Sequence, residues 1–202
     1  MQTTSIPENG TEQKVILSIT IWGLLSFFMG YFKTFNQLPR PFFGLCVMLI
    51  LTTLIVLYFK NTSFQRISNA IPLKSIALFH SWRIFAGWIF LSFSDRLPET
   101  FINNAAYGDI VAGCLGLGVL IVGQTKLNYY IFNVLGLIDF FLAVGTGLYL
   151  TVIHDPKMES ITHLPLIMIP LFGVPISGYT HFISLYRLGK IKTQKITDFV
   201  TD

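Results

Sequence analysis

Three ionisable side chains, Arg83, Asp109 and Asp139, lie inside long apolar runs of this sequence. If these runs cross a bilayer, a charge at mid-depth costs about 2.5–3.5 kcal/mol on insertion scales, and such residues are by default functional candidates. Arg83 and Asp139 both fall near the middle of their runs, which predicts a buried Arg–Asp pair at one depth. Asp109 follows the start of its run by about one helical turn, so we expect it near the outer entrance. The competing interpretation is a structural ion pair that locks helices together.

The two aspartates share helix faces with small residues. At 100° per residue, the face of Asp139 carries Gly136, Ala143 and Gly147, and the face of Asp109 carries Ala112, Gly113 and Gly116. Small residues let membrane helices approach closely. The pattern therefore predicts that both carboxylates face the interior of a helix bundle.

Two histidines, His80 and His181, are predicted at similar depth on different helices. Such a pair could ligate a haem b iron, bind a divalent metal or relay protons. A metal site usually needs a third or fourth ligand, and the sequence has no HxxxH or HExxH spacing to supply one. Two hydrogen-bonded packing histidines are the alternative.

Three prolines recur every five residues near the C-terminus: Pro165, Pro170 and Pro175. Within a helix, Pro170 and Pro175 would each remove a backbone hydrogen bond and free the carbonyls of Leu166 and Leu171. Freed carbonyls can line a cavity or coordinate a cation, and the prolines could serve as a hinge. A kinked helix without a ligand is the alternative.

The composition indicates what kind of protein must position these residues. Of 202 residues, 52% are hydrophobic and only 12% are charged, whereas a soluble domain carries about 25% charged residues. This excludes a water-soluble globule, a disordered chain and a disulfide-stapled mini-domain. The net charge of +4 comes from scattered residues rather than a basic stripe, so nucleic acid is not an expected partner. The expected partner is the lipid bilayer.

The apolar runs predict an all-α, polytopic helix bundle that forms a single membrane domain over residues 1–202. A membrane-spanning helix needs about 20 apolar residues, and six runs approach or exceed that length. They cover about residues 15–32, 42–59, 76–93, 105–122, 129–153 and 164–188. Short connections between them favour sequential antiparallel neighbours.

The basic residues predict the orientation. One face of the predicted bundle carries nine of them: Lys14, Lys60, Arg66, Lys74, Lys126, Arg187, Lys190, Lys192 and Lys195. The other face carries four: Lys33, Arg40, Arg96 and Lys157. By the positive-inside rule, both termini are predicted to be cytoplasmic. The first run lacks the features of a cleavable signal peptide and is expected to remain as a transmembrane helix.

Several short motifs resemble a family of small, six-span bacterial integral membrane proteins that is uncharacterised. They are Leu97-Pro98-x-x-Phe101, Gly108-Asp109-Ile110, Asn133-x-x-Gly136-Leu137-x-Asp139 and Ile169-Pro170-x-Phe172-x-Val174-Pro175, followed by His181. The resemblance covers roughly residues 75–188 and implies a multi-pass protein of the bacterial inner membrane. It also implies that Arg83, Asp109, Asp139 and His181 belong to one shared design, and its motif adds Asn133 to the candidate binding residues.

These features favour a small transporter or ion-translocating protein with a buried Arg–Asp site. The alternatives are a haem- or metal-binding membrane subunit that uses His80 and His181, and a non-catalytic assembly or scaffold subunit. A membrane-embedded enzyme is the weakest hypothesis, because no Ser or Cys nucleophile lies near a base at a recognisable spacing. Six spans are few for a transporter, so a homodimer or larger membrane complex is an expected partner state.

Overall fold

The computed structural model describes residues 9–190, and every regular element within them is helical. Four helices are long and apolar enough to cross a membrane: Gln13–Tyr31, Pro41–Lys60, Glu99–Val122 and Lys126–Val152. The predicted all-α fold is therefore confirmed, and the four apolar helices are those expected of a membrane protein.

The bundle contains long and short helices in one chain order. They are α1 (Asn9–Tyr31), α2 (Arg40–Lys60), α3 (Thr62–Ala70), α4 (Leu73–Phe79), α5 (Trp82–Ser92), α6 (Glu99–Phe101), α7 (Tyr107–Val122), α8 (Lys126–Val152) and α9 (Val174–Lys190). Short 3-10 helices cover Thr34–Gln37 and Pro156–Thr162. A π-helical turn, Ile102–Ala106, joins α6 to α7, and a second one, Ile169–Gly173, leads into α9.

Two of the six predicted spans are interrupted. The run 76–93 is divided into α4 and α5, because the hydrogen bonds at the break connect residues three apart: Arg83 N donates to His80 O and Ile84 N donates to Ser81 O, both at 3.1 Å. The run 164–188 contains turns, a π turn and α9. Neither run forms an uninterrupted α-helix as long as the other four spans.

The small face predicted for α7 packs directly against the backbone of α4 and α5. A Cβ added at Gly113 would lie 2.9 Å from the amide nitrogen of Ile84, and one added at Gly116 would lie 2.7 Å from the carbonyl oxygen of Ala77. Ala112 on the same face is 1% exposed. This close approach brings the N-terminal turn of α5, which carries Arg83, against the helix that carries Asp109.

The connections between the long segments gather at two ends of the bundle. At one end, the side chain of Asn36 accepts a hydrogen bond from Thr162 Oγ1 at 3.2 Å, and its Nδ2 lies 3.0 Å from His163 Nε2. At the other end of α9, Arg187 Nη1 donates to the carbonyl oxygen of Ile71 at 2.8 Å. We call these the Asn36 end and the Arg187 end.

Candidate functional site

Arg83 lies at the centre of a buried polar cluster. Its Nε donates to Asp109 Oδ1 at 2.7 Å, its Nη2 donates to Asp139 Oδ2, and its Nη1 donates to His181 Nε2 at 3.4 Å. The side chains of Arg83, Asp109 and Asp139 are 4%, 7% and 14% exposed. One guanidinium therefore joins α5, α7, α8 and α9, and the predicted Arg83–Asp139 pair is confirmed. We call these four residues the Arg83 cluster.

Asp109 lies deeper than its position in the sequence predicted. The helix that carries it begins at Glu99 rather than near residue 105, so Asp109 lies about 15 Å along the helix at 1.5 Å per residue. The polar residues before the apolar run join the helix because they find partners inside the bundle. Asn104 Nδ2, for example, donates to Thr146 Oγ1 at 2.9 Å. Asp109 is therefore a direct partner of Arg83 and not a separate outer entrance.

Two glycines make room for the Arg83 cluster. Gly108 of α7 lies against the carboxylate of Asp139, and a Cβ at this position would overlap Oδ1. Gly136 of α8 lies against the imidazole of His181, and a Cβ there would overlap the ring. The spatial reason for both motif glycines is thus the charged cluster itself. Sequence reasoning placed Gly136 on a small face and assigned no role to Gly108.

Asn133, a candidate binding residue, orients the imidazole of His181. Its Nδ2 donates to Tyr129 O at 2.7 Å, so its Oδ1 is the atom that lies 3.0 Å from His181 Nδ1. His181 Nδ1 must then carry the hydrogen and donate, which leaves the lone pair of Nε2 facing Arg83. Asn133 is 1% exposed and His181 is fully buried, so this tautomer is held by partners within the bundle.

His80, the second buried histidine, stacks on His181. The ring centroids are 3.9 Å apart and the planes are inclined by 30°. His80 Nε2 lies 3.0 Å from Thr180 Oγ1, and that hydroxyl is also 2.9 Å from the carbonyl oxygen of Ile176. Because the hydroxyl has one hydrogen to give to the carbonyl, it accepts from His80 Nε2–H. The lone pair of His80 is therefore on Nδ1.

This geometry does not fit the haem b or metal hypothesis for His80 and His181. A haem ligated by both would place its iron and porphyrin plane between the two rings, and rings stacked 3.9 Å apart leave no space for it. Three of the four ring nitrogens are already within hydrogen-bond distance of Asn133, Arg83 or Thr180. Among residues 9–190, no three His, Cys, Asp or Glu side chains are grouped so that they could hold a metal ion.

The carbonyls predicted to be freed by the two hinge prolines have partners inside the protein. Pro170 lies in the π turn and Pro175 is the second residue of α9. The carbonyl oxygen of Leu171 accepts from Trp22 Nε1 at 3.2 Å, and that of Leu166 accepts from the amide of Ile169 at 3.0 Å. These carbonyls therefore support the interpretation of an interrupted helix rather than a cation site.

An apolar cavity of about 70 Å³ adjoins the Arg83 cluster. Arg83 and Asp109 form part of its wall, together with Ser177 and aromatic rings such as Phe90 and Phe140. A second cavity of about 310 Å³ at the Asn36 end has polar walls that include Asn36, His154, Glu159 and Thr162. The two cavities share four lining side chains, which are Phe43, Thr151, Met158 and Ile161. Only these side chains separate the outer cavity from the space that reaches the cluster.

Comparison with known proteins gives one match. Residues 40–189 match the family described as a domain of unknown function, DUF8737. The matched range contains the whole Arg83 cluster, Asn133 and His80, and it also includes the region on which the resemblance drawn from the sequence rests. No curated protein and no solved structure matches the chain.

Proposed function

The chain belongs to the DUF8737 family, and since that family's description names no activity, we propose a function from the site itself. We propose that the protein is a small membrane transporter or ion-translocating protein, and that the Arg83 cluster binds the translocated ion. The ion that the chemistry favours is a proton. The observation that carries this proposal is the imbalance of charge in the cluster.

Two carboxylates share one guanidinium in the interior of the bundle. When Arg83, Asp109 and Asp139 are all ionised, the cluster has a net charge of −1, and a buried net charge is unfavourable unless it is compensated. One bound proton would neutralise it. A metal cation would need several oxygen ligands, and no such group of His, Cys, Asp or Glu occurs within residues 9–190.

Asp139 is the carboxylate best placed to exchange the proton. Its side chain is 14% exposed, compared with 7% for Asp109. It accepts one hydrogen bond from Arg83 and lies against Gly108, which leaves the carboxylate with free acceptor capacity. The two cavities that share Phe43 and Thr151 support access from the Asn36 end.

We further propose six membrane-crossing segments with both termini in the cytoplasm of a bacterial cell. Four segments are the long apolar helices, and the other two are the interrupted runs 76–93 and 164–188. The alternation of connections between the Asn36 end and the Arg187 end supports this topology, as does the excess of basic residues at the Arg187 end. Lys192 and Lys195 lie outside the described residues. A C-terminal reporter that is active only outside the cytoplasm should stay silent, and its activity would contradict the orientation.

Asp139→Asn should lower proton flux by at least about tenfold, because the amide cannot take up and release the proton that the carboxylate exchanges. The measurement uses proteoliposomes with an internal pH-sensitive dye and an imposed pH gradient. Asp95→Asn is the matched control, since it makes the same change at a carboxylate that is 79% exposed. Flux through Asp139→Asn that equals wild-type flux would contradict the assignment of Asp139.

A non-catalytic assembly or scaffold subunit is the second candidate function. One observation favours it: Arg83 donates to partners on three other helices, so the cluster would hold four helices together whether or not an ion moves. In that case the charges would serve stability alone. The two functions therefore differ in whether a neutral cluster that folds still carries protons.

A further inference from the structure

Two fully buried polar atoms have no hydrogen-bond partner among residues 9–190: His80 Nδ1 and Ser184 Oγ. The geometry at Thr180 gives His80 Nδ1 a lone pair, so this atom is an acceptor. The hydroxyl of Ser184 is both a donor and an acceptor. Buried polar groups in proteins are nearly always paired, either with protein or with ordered water.

Both atoms belong to one region of the bundle. His80 donates to Thr180 at 3.0 Å, and Ser184 follows Thr180 by one helical turn on the same face of α9. That face carries a row of buried polar side chains at helical spacing: Ser177, Thr180, His181 and Ser184. Ser177 lines the apolar cavity, and Ser184 is the member of the row nearest the Arg187 end. The row therefore leads from the cavity, past the Arg83 cluster, toward the opposite end of the bundle.

We propose that His80 Nδ1 and Ser184 Oγ bind a buried water molecule. The water donates one hydrogen to His80 Nδ1 and accepts from, or donates to, the hydroxyl of Ser184. This places an exchangeable hydrogen-bonding molecule beside the stacked imidazoles, on the side of the cluster away from the outer cavity. The position of the water is independent of the proposed function. Its role, to continue the proton route toward the Arg187 end, rests on the proposed function.

Nuclear magnetic resonance of the full chain tests the site without any transport assay. In protein with ¹⁵N-labelled histidine in lipid bilayers, magnetisation transferred from water protons should reach His80 Nδ1. Ser184→Ala should reduce this transfer by about twofold or more, because the water loses one of its two protein partners. Ser26→Ala is the matched control, since Ser26 is also a buried helical serine and its hydroxyl donates to Trp22 O at 2.9 Å.

The absence of transfer to His80 Nδ1 in the wild-type protein would overturn the water site. So would transfer that Ser184→Ala leaves unchanged, which is the result expected if the Ser184 hydroxyl instead bonds to a backbone carbonyl of its own helix.

Proton flux through the same variants tests the role separately. If the water continues the proton route, Ser184→Ala should lower flux by about tenfold, and Ser26→Ala should not change it. Loss of the water signal with unchanged flux would overturn the role and leave the site in place. Absence of flux in the wild-type protein would overturn the proposed function and leave the site to the resonance experiment alone.

Discussion

Replacing Arg83 with glutamine is expected to lower the free energy of unfolding by about 3–5 kcal/mol, the range typical when one partner of a buried ion pair is removed. The substitution leaves Asp109 and Asp139 in the bundle interior without their shared counter-charge. Both carboxylates currently accept from Arg83, and their side chains are 7% and 14% exposed. Reversible unfolding of the purified protein in detergent micelles measures the change.

Two variants define the cause of the loss. Arg96→Gln removes an arginine whose side chain is 67% exposed, and little change is expected because solvent screens a surface pair. The triple variant Arg83→Gln, Asp109→Asn, Asp139→Asn removes all the charges and keeps hydrogen-bonding groups of similar size. It should recover most of the stability lost in Arg83→Gln. An Arg83→Gln protein as stable as the wild type would contradict the central position of this residue.

Alanine at Gly108 or at Gly136 is expected to lower the free energy of unfolding by about 1–3 kcal/mol each, the usual effect of overpacking a filled interior. At Gly108 the new methyl group would overlap the carboxylate of Asp139, and at Gly136 it would overlap the imidazole of His181. Neither neighbour can move freely, because Asp139 is bonded to Arg83 and His181 lies between Arg83 and Asn133.

Each helix supplies its own control for this prediction. In α7, a Cβ at Gly118 would meet nothing within 4 Å, and the same holds for Gly145 in α8. Alanine at these two positions should be neutral or stabilise by up to about 1 kcal/mol, because it restricts the unfolded chain and favours the helix. Equal effects of Gly108→Ala and Gly118→Ala, measured by the same unfolding experiment, would show that the cluster does not occupy the space assigned to it.

The sequence predicted the long helices well because their apolar length is a property of each segment alone. The predicted span 129–153 corresponds to α8, Lys126–Val152, and the span 42–59 to α2, Arg40–Lys60. The span predicted from residue 105 begins instead at Glu99. Composition could not show this, because Asn104 is tolerated in the helix only through its partner on α8, Thr146.

The candidate site was predictable to the extent that it depends on depth. Equal depth in the bundle predicted the Arg83–Asp139 pair and brought His80 near His181. Depth does not give the rotation of one helix relative to its neighbour, which decides that the two imidazoles stack at 3.9 Å. The role of Gly108 depends on the same rotation, as does the polar row that ends at Ser184. Single-helix periodicity contains no information on these relations.

The measurement that tests the central claim most directly is proton flux through the triple variant Arg83→Gln, Asp109→Asn, Asp139→Asn. Its cluster is neutral, and recovered stability in the unfolding experiment would show that the bundle still forms. Proteoliposomes that contain the wild-type protein should dissipate a pH gradient, and those that contain the folded triple variant should not. If the triple variant carries protons as fast as the wild type, or if the wild type carries none, the Arg83 cluster is structural and the ion-translocating function is wrong.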